Sequence, residues 1–145
     1  MNDTTDSPLS PFHLAIPVND LSAADAFYCG LLGCAKGRTA PRWIDLNFYG
    51  HQVTLHLVDD AGKGTGTNPV DGDQVPAKHF GVVMPMPEWQ ALADRLESCE
   101  CEFLIAPKVR FKGEVGEQAT MFFLDPAGNA LEFKSFADPA MLFAT

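Results

Sequence analysis

The chain is built twice, and that duplication constrains its fold more than any other feature. Periodicity predicts a strand at about 12–18, a helix at 21–32, and strands near 35–38, 43–49 and 51–58. The same order then recurs as a strand at 78–84, a helix at 87–98, and strands near 102–105, 119–124 and 129–136. Between the copies lies a glycine-rich linker at 60–69. Asp20 or Ser22 can cap the first helix and Gly33 can end it, while Pro87 suits a first helical turn. In the second helix Trp89, Leu92 and Leu96 fall on one face. A strand–helix–strand–strand–strand unit of roughly 60 residues is too small to stand comfortably alone. The expectation is therefore an α+β fold in which two tandem βαβββ units, at 12–58 and 78–136, pair into a partly closed mixed β-barrel with helices outside. The whole of 1–145 would form one domain.

Strand side chains alternate between faces, so the pattern also sorts residues by side. Phe12, Leu14, Ile16 and Val18 oppose His13, Ala15 and Pro17. Ile44, Leu46 and Phe48 oppose Trp43, Asp45, Asn47 and Tyr49, and Val53, Leu55 and Leu57 oppose Gln52, Thr54 and His56. In the second half Phe80, Val82 and Met84 oppose His79, while Leu131 and Phe133 oppose Glu132 and Lys134. One face is uniformly apolar and belongs under the helices. The other gathers His13, Asp45, Asn47, Gln52, Thr54, His56, His79 and Glu132, with few of the lysines of an ordinary solvated face. It reads as a cleft lining. Two imidazoles and a carboxylate on rigid strands form the ligand set of a divalent metal with open coordination positions, which points to His13, His79 and Glu132. His51, of opposite parity to His56 and next to a turn, reads as structural.

Charge narrows the partners. A formal net charge of -9 repels phosphate backbones and anionic lipid, so neither nucleic acid nor a membrane is expected as a partner. No apolar run approaches the roughly 20 residues of a membrane helix. The polar, acidic start at Met1–Pro8 is unlike a secretory signal and reads as a flexible tail on a cytoplasmic protein. Cys29, Cys34, Cys99 and Cys101 lack zinc-knuckle spacing and read as reduced structural thiols.

The repeated unit, the strand-opening histidines, the helix segment Ala23-Ala24-Asp25-Ala26-Phe27-Tyr28 and the stretch Phe123-Leu124-Asp125-Pro126-Ala127-Gly128-Asn129-Ala130-Leu131-Glu132-Phe133 together resemble the vicinal oxygen chelate superfamily. That superfamily includes glyoxalase I, extradiol dioxygenases and the fosfomycin and bleomycin resistance proteins, and the likeness covers residues 12–136. It implies a metal held by the first and last strands of each unit, here His13, His56, His79 and Glu132. His56 stands where glyoxalase-like members usually have a carboxylate, so the site is either His3Glu or a two-histidine, one-carboxylate triad. It implies a divalent cofactor (Fe, Zn, Mn or Ni), a homodimer, and a small-molecule substrate whose adjacent oxygens are chelated. The expected activity is that of a lyase or isomerase, or of an extradiol-type dioxygenase, with Glu132 and His56 as catalytic groups. The alternative is a drug-binding protein of the resistance type, using the same cleft without catalysis.

Substrate contacts are sought among Trp43, Asp45, Asn47, Tyr49, Arg110 and Phe123. Trp43, Tyr49 and Phe123 could supply an aromatic wall or belong to the core. Lys108-Val109-Arg110-Phe111-Lys112 holds three of ten basic residues and suggests an anionic substrate, or else a charged edge strand. The following Gly113–Glu117 reads as a mobile loop over the cleft mouth.

Overall fold

The computed structural model describes residues 9–59 and 67–144. Its first unit runs β1 (His13–Val18), α1 (Leu21–Asp25), β2 (Ala35–Ala40), β3 (Trp43–Phe48) and β4 (His51–Leu57). A short hairpin follows, β5 (Thr67–Val70) and β6 (Asp73–Pro76). The second unit runs β7 (Phe80–Val83), α2 (Met86–Ser98), β8 (Phe103–Arg110), β9 (Gln118–Leu124) and β10 (Ala130–Phe136). The sheets are ordered β1-β4-β3-β2 and β7-β10-β9-β8, so the same topology occurs twice. In each, the first and last strands pair parallel and the other neighbours antiparallel. The expected α+β fold of two βαβββ units is present, as two four-stranded sheets that do not close on each other.

Local chemistry sets the element ends. Asp20 caps α1, its carboxylate accepting from the Ala23 amide at 3.0 Å. Beyond Asp25 the helix widens into a π-helical turn over Ala26–Leu31, closed by Leu32 N–H on Phe27 O, and Gly33 ends it at φ 77. Pro87 lies in the first turn of α2, which buries Trp89, Leu92, Ala93 and Leu96.

Two stretches depart from the sequence reading, the end of β8 and the hairpin, while 113–117 is a loop as expected. Strand β8 reaches Arg110, well beyond the expected end near 105. Linker residues 67–69 belong to the β5–β6 hairpin, which no alternation announced; linker residues 60–66 and the tail at 1–8 lie outside the described residues. Residues 113–117 form tight turns, with the Gly113 amide on the Glu117 carboxylate at 2.8 Å and Glu117 N–H on Glu114 O.

Both sheets bury their apolar faces in a single core with the helices. Tyr28, Leu55, Leu96, Leu131, Phe123 and Phe133 are fully enclosed there, each large apolar side chain contributing about 1.5–3 kcal/mol. Rings of Phe123 and Phe133 stack at 5.6 Å with planes 4° apart. The polar faces are therefore turned away from the shared core.

The Asp125–Asn129 turn fastens the halves together. Asp125 is buried, and its Oδ1 accepts from the amides of Ala127 (2.9 Å) and Asn129 (2.8 Å). Its Oδ2 accepts from the Tyr28 hydroxyl (2.8 Å) and the Asn129 amide side chain (2.8 Å). Asn129 Nδ2 also donates to Pro17 O in β1, again at 2.8 Å. The turn thus binds both the helical segment and the first strand of the other unit.

Candidate metal centre and polar faces

Strands β7 and β10 bring His79 and Glu132 together. Glu132 pairs with Gly81, two residues beyond His79, and His79 Nε2 lies 3.4 Å from Glu132 Oε1. The imidazole is fixed from behind, with Nδ1 2.7 Å from Pro76 O. A carbonyl can only accept, so Nδ1 carries the proton and Nε2 is the atom turned to the carboxylate. Phe122 meets the imidazole edge-on at 4.9 Å. The other carboxylate oxygen, Oε2, accepts from the hydroxyl of fully buried Thr120 at 2.5 Å.

Two lone-pair-bearing atoms this close need positive charge between them, either a proton or a cation. The charge balance is poised accordingly. Hydrogen bonding to Glu132 raises the His79 pKa above its ordinary value, against burial, with help from Pro76. Burial pushes Glu132 up, but the bonds from His79 and Thr120 overcome it and leave the carboxyl lowered. One imidazole nitrogen and one ionised carboxylate oxygen, each oriented by a second hydrogen bond, suit a borderline divalent ion such as Zn, Fe, Mn or Ni.

The remaining expected ligands stand elsewhere. Among the described residues no group of three or more His, Cys, Asp or Glu side chains is placed to hold one ion. His13 lies on the first sheet, paired with Gln52, and His56 is paired with Pro17 four residues along. That spacing is about 13 Å on a strand. The doubled topology shows which residues correspond. Glu132 pairs two residues beyond His79, and the residue pairing two beyond His13 is Thr54, opposite Ala15. His56 matches Lys134 instead. The slot equivalent to Glu132 therefore holds buried Thr54, whose hydroxyl donates to buried Asp45 at 2.7 Å. His56 keeps the expected parity, exposed on the polar face.

Trp43, Asp45 and Asn47 share that face. Asn47 Oδ1 accepts from Gly50 N–H at 2.8 Å, closing the β3–β4 turn, where Tyr49 (φ 53) and Gly50 (φ 89) are both left-handed. Tyr49 packs edge-on against Phe133 at 5.5 Å and lines a 280 Å³ cavity with Cys34 and Asn47. Its hydroxyl is pushed up to about 12, chiefly by burial. His51 is structural, accepting from Phe12 N–H at 2.7 Å.

Two expected substrate contacts are corrected by the packing. Phe123 is wholly inside the core, because its strand parity faces the helices. Arg110 is 2% exposed, its guanidinium 2.9 Å from Asp73 and donating to Val70 O at 2.7 Å. Lys108 joins the same carboxylate at 2.5 Å. These charges fasten the β5–β6 hairpin onto β8, over a small cluster of Val75, Ile105 and Phe122. Arg110→Ala should loosen the hairpin by about 1–3 kcal/mol, seen as faster amide exchange across 67–76 with α2 unchanged. The Asp73 carboxyl is lowered below its ordinary 3.8, mainly by the Lys108 hydrogen bond and with Arg110 adding its charge. Its stabilisation is complete above that value and is lost as pH falls through the lowered one. Exchange protection of the hairpin should therefore drop selectively in that acidic window.

Thr120 and the hairpin carry no signal in the sequence, and Thr54 is marked there only as part of the polar lining, not as the partner of Asp45. Threonine on a buried strand is common, and only register shows that the two threonines address carboxylates.

The comparisons agree with this fold. The chain belongs to the glyoxalase/bleomycin resistance protein/dioxygenase superfamily, whose family model matches residues 10–133. A glyoxalase/bleomycin resistance protein/dioxygenase from Alicyclobacillus acidocaldarius is similar at 33% identity and TM-score 0.81, covering 95% of this chain and 99% of its own. A lactoylglutathione lyase from Agrobacterium tumefaciens shares the fold at 19% identity and TM-score 0.66, covering 96% and 99%. The fosfomycin resistance protein FosX from Listeria monocytogenes does so at 16% and 0.66, covering 93% and 97%. A search of curated proteins finds no match. Among the described residues no helix is long and apolar enough to cross a membrane.

Proposed function

We propose that the chain is a divalent-metal-dependent enzyme of the glyoxalase/dioxygenase type, acting on a small molecule that presents two adjacent oxygens. The observation that carries this reading is the His79–Glu132 pair, with Nε2 and Oε1 3.4 Å apart and both groups oriented from behind. When bound, a divalent ion would supply Lewis-acid stabilisation of charge developing on the substrate oxygens. His79 would offer Nε2 and Glu132 would offer Oε1. Pro76 keeps the imidazole in the metal-binding tautomer, and Thr120 holds Oε2 so that Oε1 stays directed at the site. Glu132, ionised and partly desolvated, is also the group suited to accept a substrate proton.

His13 is the proposed third ligand, contributed by a second copy of the chain. Support comes from the fold: each polar face is turned away from the shared core, and the two sheets of one chain do not join. In a homodimer the first sheet of one protomer would face the second sheet of its partner, making two equivalent sites. His56 would then stand at the rim, short of the ion. Four free thiols fit a reducing cytoplasmic setting.

Elemental analysis of the purified dimer should find close to one divalent ion per chain. His79→Ala and Glu132→Ala should each remove most of it, and His13→Ala should weaken it by at least about tenfold. Affinity should fall on acidification as protons compete for the imidazoles. Equal metal in the wild type and all three variants would refute the site. A metal-free protein that still bound small ligands would favour the resistance-type binding reading.

A further inference from the structure

The two units carry the same architecture but treat one position differently. Opposite Glu132, Phe122 pairs with Ile105, where the register of β8 shifts by a residue on either side. That apolar seat is filled by the chain itself, through Val75 of the hairpin. In the first unit the corresponding position, opposite Thr54, is Asp45. Strand β2 is bulged there: Lys36 pairs with Leu46 but Thr39 with Ile44, so both Gly37 and Arg38 oppose Asp45. A bulge re-aims a side chain across the sheet face. Here it carries the Arg38 guanidinium over Trp43, 5.9 Å from the ring centroid, with Nε 3.9 Å from Asp45 Oδ2. A 360 Å³ cavity opens at this point, lined by Arg38, Asp45, Asn47, His51 and Gln52 among others.

The charges in this cavity are of opposite exposure. Asp45 is buried, with Oδ1 held by Thr54, so its Oδ2 is a fixed acceptor. Arg38 is 85% exposed along its side chain and meets Asp45 only loosely, leaving its terminal nitrogens for another partner. A guanidinium takes a carboxylate through two parallel hydrogen bonds, and a buried carboxylate oxygen takes a donor. A bare anion would gain from Arg38 but be repelled by Asp45. A molecule bearing a carboxylate and, on the next carbon, a hydroxyl or ammonium donor would satisfy both.

We propose that this cavity is a recognition site for the head of a 2-hydroxy or 2-amino carboxylic acid, with Arg38 binding the carboxylate and Asp45 accepting from the neighbouring donor. Thr54 acts as a positioning residue through Asp45. The proposal refines the substrate class of the reading above and rests on it for catalytic relevance, but binding at the cavity needs no metal.

The test is titration of lactate, alanine and propionate into full-length protein stripped of metal, followed by the indole signal of Trp43 and the Nε signal of Arg38. Lactate or alanine should bind at least about tenfold more tightly than propionate, the worth of one well-placed hydrogen bond to a charged group. Whichever of the two is tighter identifies the donor as hydroxyl or ammonium. Arg38→Ala, at an exposed position, should weaken the preferred ligand by at least about tenfold. Asp45→Asn should keep propionate binding while narrowing the discrimination to about twofold. Equal binding of all three probes, or unchanged binding by Arg38→Ala, would overturn the proposal. Because the titration is metal-free, failure of the metal site leaves it readable, and its failure leaves the metal analysis untouched.

Discussion

Asp125→Ala should cost about 3–5 kcal/mol of stability and lower the melting temperature by roughly 10–20 °C. The carboxylate accepts four hydrogen bonds, two on each oxygen, from a site only 4% exposed. Its loss strands the hydroxyl of Tyr28, whose ring is fully buried, together with two turn amides. The Asn129 side chain would lose the anchor that lets it reach Pro17 across the unit boundary. Tyr28→Phe removes a single donor and should cost only about 1–2 kcal/mol. The double variant should be little worse than Asp125→Ala alone, because both changes break the same contact. Thermal unfolding of the three proteins checks this, and a melting point for Asp125→Ala within about 3 °C of wild type would contradict it. The implication reaches beyond stability: the Asp-Pro-x-Gly-Asn turn, the most recognisable motif of the chain, works as the clasp between its halves.

Gly81→Ala should be similarly severe, and should also abolish the proposed metal binding without touching a proposed ligand. A methyl group built at Gly81 would lie 1.5 Å from the carbonyl oxygen of Glu132 and 2.5 Å from its carbon. No rotamer relieves a clash with backbone, so β7 and β10 must part at the rung that sets His79 against Glu132. The expected loss is at least about 3 kcal/mol. Gly30→Ala provides the control, since an added Cβ there meets nothing within 4 Å, and it should be neutral or stabilising by up to about 1 kcal/mol. Circular dichroism melts with parallel metal analysis would show the contrast. Full metal occupancy in Gly81→Ala would mean that the close approach is not needed to align the pair.

How much of the site could be read in advance follows from what alternation does and does not encode. Parity placed His13, His56, Asp45, Asn47, Trp43 and Glu132 on polar faces, and the structure keeps them there. Parity says nothing of which rung a residue occupies. His56 and Thr54 share a face, yet the register sets Thr54, not His56, in the slot equivalent to Glu132. Bulges were equally silent, and each shifts the facing set by one residue. The bulge that brings Arg38 over Asp45 leaves no mark in the alternation, whereas Arg110 stands out in the sequence only as a basic residue in an acidic chain. The partner that occupies Arg110, Asp73, sits in a hairpin whose strands of four residues show no strong pattern.

The amino-acid order alone determined the doubled βαβββ plan, the helix ends and the apolar faces, because these depend on residues a few positions apart: caps, turn formers, and periods of 2 and 3.6. Tertiary structure decided which of the polar residues work together. His79 meets Glu132, Arg110 meets Asp73, and Asp125 meets Tyr28 only after sheets and helices have packed. Those contacts are set by strand register, bulges and the shared core, which local sequence does not specify.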